Sequence, residues 1–330
     1  MNNESESDVT EIILVGFSHN LQTQRLLLGF SLLMYKLTVF GNIILTCIII
    51  TSPPHLHTPM YYFLCNLSFL DFFYSTGTVP KLLQDLISTG GGRISHTGCL
   101  LQLLSSLFLG QTECILLGVM AYDRYIAICF PLRYMVIMSW KKCNTIAITV
   151  WTGTFLNVTV PMIIKPPKFC KNTNINHYFC EVIVVLKLIC ENRFYENIVT
   201  IATLFSTLIP LGFILLSYIC IIRAVLKIHS AAGRNKTFST CASHLTVVFM
   251  FYGASMTMYL GATKNPSTKT KFISLMYMVV TPMLNPMIYS LRNNDVKRKR
   301  PEMLADIILN IYIFCYLKLK TLWARFNSVR

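Results

Sequence analysis

The amino-acid sequence predicts an all-α membrane protein, a seven-transmembrane helix bundle with its N-terminus extracellular and its C-terminus cytoplasmic. Three observations carry that prediction. Of 330 residues, 54% are apolar and 13% charged, about half the charged share usual in soluble domains. The apolar residues fall into seven blocks, each near the ~20 residues that cross a bilayer as a helix. Once those blocks are laid across a membrane, the basic residues gather on one side, as cytoplasmic segments do.

The blocks lie at residues 26–50, 60–83, 99–123, 143–164, 197–222, 238–260 and 272–291. They divide the chain into an outer segment (1–25), a seven-span domain (26–292) and a cytoplasmic tail (293–330). The first segment carries Glu4, Glu6, Asp8 and Glu11 and lacks the basic start and cleavage site of a signal peptide, so span one is expected to act as an uncleaved anchor. Asn3-Glu4-Ser5 is a glycosylation acceptor on the outer side. Span two begins LHTPMYYFL, with Pro59 where a missing N–H costs a helix nothing. Pro80, Pro282 and Pro286 mark kinks in spans two and seven. Lys36 stands halfway along span one, where burying an ammonium is expensive. The tail from Met303 to Trp323 alternates apolar runs with Lys318 and Lys320 over too short a stretch to span, which suits a helix lying on the membrane surface.

With the N-terminus outside, 17 of the 29 basic and 4 of the 14 acidic residues face inward, giving +13 of the total +15. The basicity therefore belongs to the inner face, including the run Lys297 to Arg300, and speaks for anionic membrane lipids at about 1 kcal/mol per residue rather than for nucleic acid. Of twelve cysteines, Cys99, Cys170, Cys180 and Cys190 lie in outer segments, where the compartment is oxidising. Two disulfides are expected, and the spacing leaves three pairings open.

Four polar side chains sit deep in their spans: Asn42, Asp71, Glu113 and Asn285. Two carboxylates in hydrocarbon must face each other, water or a cation. A shared proton, a sodium ion at Asp71 and Glu113, or a hydrogen-bonded knot that only fixes packing each answers that need. Roughly three turns further along span three comes Asp123-Arg124, a charge pair at the cytoplasmic end. It is either a neutralised helix end or the inner terminal of a rod that joins both membrane faces. No H-E-x-x-H, P-loop or nucleophile elbow occurs, so catalysis is not expected. No period of 20 to 50 residues repeats, which weakens a transporter reading.

Several separated motifs match one family. They are GN at Gly41-Asn42, LHTPMYYFL from Leu56, LSFLD ending at Asp71, MAYDRYIAICFPLRY from Met120 to Tyr134, SY at Ser217-Tyr218, KTFSTCASHL from Lys236 and PMLNPMIYSLRN from Pro282. In this order they resemble the olfactory receptors among rhodopsin-like G-protein-coupled receptors, over roughly residues 10 to 298. The resemblance implies a receptor in the plasma membrane of olfactory cilia. An odorant arrives from the outer side, the inner end of span six swings outward, and Arg124 becomes available to a heterotrimeric G protein of the olfactory stimulatory type, which raises cyclic AMP. Asp123, Tyr125, Tyr218 and Tyr289 belong to that coupling end, and Asp71, Glu113 and Asn285 match the family's polar centre. Cys99–Cys180 with Cys170–Cys190 is the pairing adopted with it. Span six carries Phe251-Tyr252-Gly253 without a Trp-Pro hinge, and its inner end offers Arg234 and Lys236 instead of an acid, which leaves Asp123 and packing to restrain Arg124.

The matching cavity takes Leu103, Ser106, Leu107, Gly110 and Gln111 from one face of span three, outward of Glu113. Ala202, Thr203 and Ser206 come from span five, Tyr252, Ser255, Met256 and Tyr259 from span six, and Met278 from span seven. This lining suits a small, mostly apolar odorant, and without a carboxylate on span three it disfavours an amine. A competing reading is an ion channel or transporter that uses Asp71 and Glu113 as a path.

Overall fold

A chain inside hydrocarbon must satisfy its own backbone N–H and C=O groups, and the helix does so within one segment. The computed structural model describes residues 11–17, 20–51, 57–88, 92–170, 174–190, 193–227, 230–260 and 268–292, with backbone alone at 231, 232, 235, 236, 239, 240, 259, 260, 268, 269 and 289–292. Among the described residues seven long helices form the bundle: α1 (Leu21–Thr51), α2 (Pro59–Ile87), α3 (His96–Cys129), α4 (Trp140–Ile164), α5 (Arg193–Leu226), α6 (Ala231–Leu260) and α7. The last is built of Thr268–Leu275, a π turn at Met276–Val280 and Thr281–Arg292. Six are long and apolar enough to cross a membrane by composition. The exception is α2, whose apolar run is broken by Asn66, Asp71, Lys81 and Asp85. It packs against α1, α3 and α7 and buries Phe63, Leu64, Leu67 and Leu70, so its polar residues face protein and it needs less lipid-compatible surface.

Helix starts follow local chemistry. Thr58 is extended ahead of Pro59 in the first turn of α2, and the Ser95 hydroxyl accepts from the Gly98 N–H to begin α3. The prolines expected to mark kinks do not end their helices. The helix runs on past Pro80 to Ile87 and past Pro286 to Arg292. Widened π turns stand at Leu204–Leu208 in α5 and Met276–Val280 in α7, each ending two residues before a proline, Pro210 and Pro282. A proline donates no N–H to the carbonyl four residues back and its ring crowds that carbonyl, and a wider turn relieves both.

Close approaches explain the GN motif. A Cβ on Gly41 would come within 3.1 Å of the Pro286 ring, so α1 and α7 touch there, and the next residue, Asn42, donates to the Pro282 carbonyl at 3.1 Å. Gly118 gives α3 the same intimacy with Pro210 of α5. Helix α3 runs through the middle, touching α2, α4, α5 and α6. Lys36, expected to be costly in the bundle, is exposed on the outer surface of α1, so its ammonium faces lipid and must reach along its stem for water.

The outer end carries a small sheet that hydropathy does not announce. Strand β1 (Glu11–Leu14) pairs antiparallel with β2 (Gly92–Ser95) and parallel with β3 (Asn174–Ile175). Ile12, Leu14 and Ile175 bury their side chains against Val182, Val185 and Tyr195 beneath it. Cys99–Cys180 ties the top of α3 to the loop between α4 and α5, and Cys170–Cys190 closes that loop on itself. The expected sequon at Asn3, the Lys297–Arg300 run and the tail helix lie outside the described residues.

Candidate functional site

The outer half of the bundle holds a cavity of about 60 Å³ between α3, α5, α6 and α7, closed above by the loop residues Phe179 to Val182. Nine of the expected residues line it: Leu103, Ser106, Leu107, Gly110 and Gln111 from α3, Thr203 and Ser206 from α5, Ser255 from α6 and Met278 from α7. The remaining four do not. Ala202 turns to a separate crevice against α4. Tyr252 is 3% exposed and donates its hydroxyl to the Cys114 carbonyl at 2.9 Å, so it binds α6 to α3 instead of facing the space. Met256 is half-buried and Met258 takes its place on the wall, because the inward face of α6 is rotated from the stripe assumed. The side chain of Tyr259 lies outside the described residues.

The loop supplies what the sequence reading missed. The disulfide fixes Cys180, whose N–H donates to Gln102 Oε1 at 3.0 Å, and this sets Glu181 over the cavity. One Glu181 oxygen accepts from the Ile183 N–H at 3.0 Å. Burial pushes its carboxyl up to about 7, opposed by the N–H bonds from Ile183 and Val184 and by Lys187. The lining therefore does hold an acid, from the loop and not from span three, and that carboxyl changes charge near neutral pH. Tyr178 beside it shares a hydrogen bond of 2.9 Å with Ser274 of α7 and stacks on Phe17 of the N-terminal segment at 4.7 Å. Lys271 of α7 donates to Asn176 Oδ1 at 2.7 Å and to the Gly16 carbonyl. Gly16 has φ of 68°, a conformation that glycine adopts without strain. The N-terminal segment is thus tied across the outer mouth.

Below the cavity lies the polar centre. Asn285 donates its amide to both oxygens of Asp71, at 3.2 and 3.0 Å, and Asn42 bridges the Thr38 and Pro282 carbonyls. Glu113 is 2% exposed and within electrostatic reach of Asp71. Among the described residues, Glu113 Oε1, Asn285 Oδ1, Asn42 Oδ1 and Ser75 Oγ are buried without a hydrogen-bond partner. Oxygen acceptors in excess of donors are what a small hard cation satisfies, so the residues fit the sodium expected at Asp71 and Glu113. No group of three His, Cys, Asp or Glu that could hold a metal ion forms among the described residues.

At the inner end Asp123 is 1% exposed and accepts from the Tyr134 hydroxyl at 2.8 Å. Among the described residues Asp123 and Arg124 are not within salt-bridge distance, yet Arg124 acts on the Asp123 carboxyl electrostatically, and Tyr134 of the second inner loop holds that carboxyl as well. Tyr134 closes the same motif eleven residues on, which was the available signal. Arg124 is partly exposed and within electrostatic reach of Cys241 and His244 of α6. Tyr218 is turned to α6, its hydroxyl 2.9 Å from His244 Nδ1 and its ring stacked on the imidazole. His244 stands in the KTFSTCASHL motif, which by itself assigns it no role. Tyr125 packs against Phe130, and the side chain of Tyr289 lies outside the described residues.

Helix α3 lines the cavity, brings Glu113 to the polar centre and ends at Asp123 and Arg124, and comparison with known proteins shows the family that shares this layout. The family model described as olfactory receptor matches residues 30–307. Olfactory receptor 2A7 of Mus musculus is 42% identical over 299 residues, 90% of this chain and 96% of that protein. Olfactory receptor 1D2 of Pongo pygmaeus is 44% identical over 90% of this chain and 95% of its own length, and olfactory receptor 13F1 of Homo sapiens 42% over 94% and 98%. The crystal structure of squid rhodopsin superposes with a TM-score of 0.69 at 16% identity, covering 90% of this chain and 91% of that one, which speaks for the fold alone. With the match spanning nearly the whole bundle, the chain belongs to the olfactory receptor family, multi-pass membrane receptors and not enzymes.

Proposed function

We propose that this receptor binds a small, mostly apolar odorant in the cavity under the Cys180 loop and passes the event along α3 to a heterotrimeric G protein of the olfactory stimulatory type, raising cyclic AMP. The observation that carries the reading is the layout of α3. Its outer turns line the cavity, its middle brings Glu113 to the polar centre, and its inner end presents Arg124. A ligand among Ser255 and Met258 of α6, Thr203 of α5 and Met278 of α7 has leverage on how those helices sit against α3. The inner response is an exchange of partners. Tyr218 leaves His244, α6 moves off Arg124, and Tyr218 with Tyr289 turns to the arginine as the G protein docks.

Asp71 and Glu113, with Asn285 and Ser75, would hold a sodium ion, which would supply positive charge to a centre with spare oxygen acceptors. The receptor works at the plasma membrane, in olfactory cilia, with Asn3 glycosylated and the inner basic residues on anionic lipid. An odorant panel read by cyclic AMP, in cells with verified surface display, tests the proposal. Arg124→Ala at equal display abolishes the response, while flux or current without a G protein would point to the channel reading.

A further inference from the structure

The largest space among the described pockets is not the inner cavity. A crevice of about 610 Å³ opens on the flank of the bundle between α3, α4 and α5, walled chiefly by Gln111, Thr154, Asn157, Pro161, Ala202 and Phe205. Asn157 and Phe205 are exposed there, so the crevice faces hydrocarbon. An asparagine on the lipid side of a spanning helix is costly, because its amide finds no water. Asn157 donates one N–H to Gln111 Oε1 at 2.8 Å, and its amide oxygen has no partner among the described residues. Pro161, one turn outward, brings no N–H to the Asn157 backbone carbonyl. The crevice is therefore an apolar groove with a hydrogen-bonding hook set in it.

Depth tells what the hook is for. Asn157 lies five residues outward of the middle of α4, about 7–8 Å at 1.5 Å per residue. The hydrocarbon boundary is about 15 Å from the midplane, which is where the hydroxyl of a membrane lipid stays. A head group that reaches Asn157 belongs instead to a small molecule dissolved in the bilayer. Gln111 and Ser206 line both the crevice and the inner cavity, so two side chains separate them. The outer mouth, in contrast, is crossed by β1, Phe17 and the Lys271 bonds.

We infer that the crevice is a binding site for small, mostly apolar molecules with one hydroxyl or carbonyl, taken from the bilayer, and that they pass from it to the inner cavity when the Gln111–Asn157 bond opens. The inference rests on reading the inner cavity as the ligand site, and the test separates the two. A diazirine-bearing octanol is equilibrated with membranes of cells expressing the full chain, activated by light, and the surface-displayed receptor is mapped by peptide mass spectrometry. Label is expected on segment 153–161 and at Ile201, Ala202 and Phe205 in the crevice, and on the cavity segment 103–110. A Cβ on Gly153 would meet nothing within 4 Å and Gly153 lies on the crevice wall, so Gly153→Phe starts its ring into open space there and is expected to remove label from both places. Gly29→Phe, equally open on the exposed face of α1, leaves both unchanged. Asn157→Leu weakens crevice label about five-fold, the ratio for one net hydrogen bond of ~1 kcal/mol. Crevice label no stronger than on α1 overturns the site. Cavity label that survives Gly153→Phe overturns the passage and leaves the cavity reading intact. Crevice label with a bare cavity overturns the cavity reading, and the passage with it.

Discussion

Removing one oxygen from Tyr252 tests how α6 is held in the resting receptor. Its hydroxyl donates at 2.9 Å to the Cys114 carbonyl of α3, with both residues buried at 3% and 5% exposure. Phe251 and Tyr252 replace a Trp-Pro hinge, so this bond is the polar tie between the two helices at mid-depth. Tyr252→Phe keeps the ring packing and loses a net ~0.5–1.5 kcal/mol, since the carbonyl stays inside its own helix. If α6 leaves α3 on activation, that energy is lost from the resting state alone. The resting-to-active equilibrium then shifts about two- to thirteen-fold at RT of ~0.59 kcal/mol. Ligand-independent cyclic AMP at matched surface display is expected to rise by that factor, and the half-maximal odorant concentration to fall correspondingly. Tyr195→Phe is the control: its hydroxyl is buried without a partner among the described residues, so the same deletion should change neither quantity. A Tyr252→Phe receptor whose basal signal and odorant sensitivity equal those of the parent would refute the idea that the bond distinguishes the two states.

Other perturbations probe the outer end and the lipid face. Glu181→Gln is expected to flatten the dependence of odorant response on pH between 6 and 8, since the parent's carboxyl, near 7, is a neutral donor below that value and a charged acceptor above it. Because its pKa is raised above the unfolded value, the parent should also lose stability as pH rises from about 4.5 through 7 and hold level beyond, read as the melting temperature of purified receptor. Losing Cys99–Cys180 should lower surface display more than losing Cys170–Cys190, since chain entropy assigns about 4.5 kcal/mol to a separation of 81 residues and about 3.3 to one of 20. Lys36→Leu should raise surface labelling by sparing an ammonium on the lipid face, and equal or lower labelling would count against that cost.

What could be read in advance divides along physical lines. Hydropathy and helical period are local, and they place all seven helices, including α2 with its Asn66, Asp71, Lys81 and Asp85. The same period brought Leu103, Ser106, Leu107, Gly110 and Gln111 to one wall, because α3 is an unbroken helix from His96 to Cys129. On α6 the period gives a stripe but not its rotation, so it points to Met256 where Met258 lines the cavity. Contacts between distant segments carried no such signal. The pairing of Glu11 with Ser95 and the reach of Lys271 to Asn176 depend on how loops fold over the bundle. Glu181 was invisible for the same reason, since the Cys99–Cys180 bond and the Gln102 contact, both between distant segments, set it over the cavity. Tyr134 and His244 stood inside quoted motifs, but a motif names residues without saying which atom meets which.

The central claim is that one helix couples the cavity to Arg124. The direct measurement is cyclic AMP evoked by an odorant panel in cells that display equal amounts of parent receptor and Arg124→Ala, with membrane current recorded in parallel and without G protein. The account predicts a response in the parent, none in Arg124→Ala, and no ligand-evoked current in the absence of G protein. A response that survives the arginine's removal, or a current that needs no G protein, would contradict it.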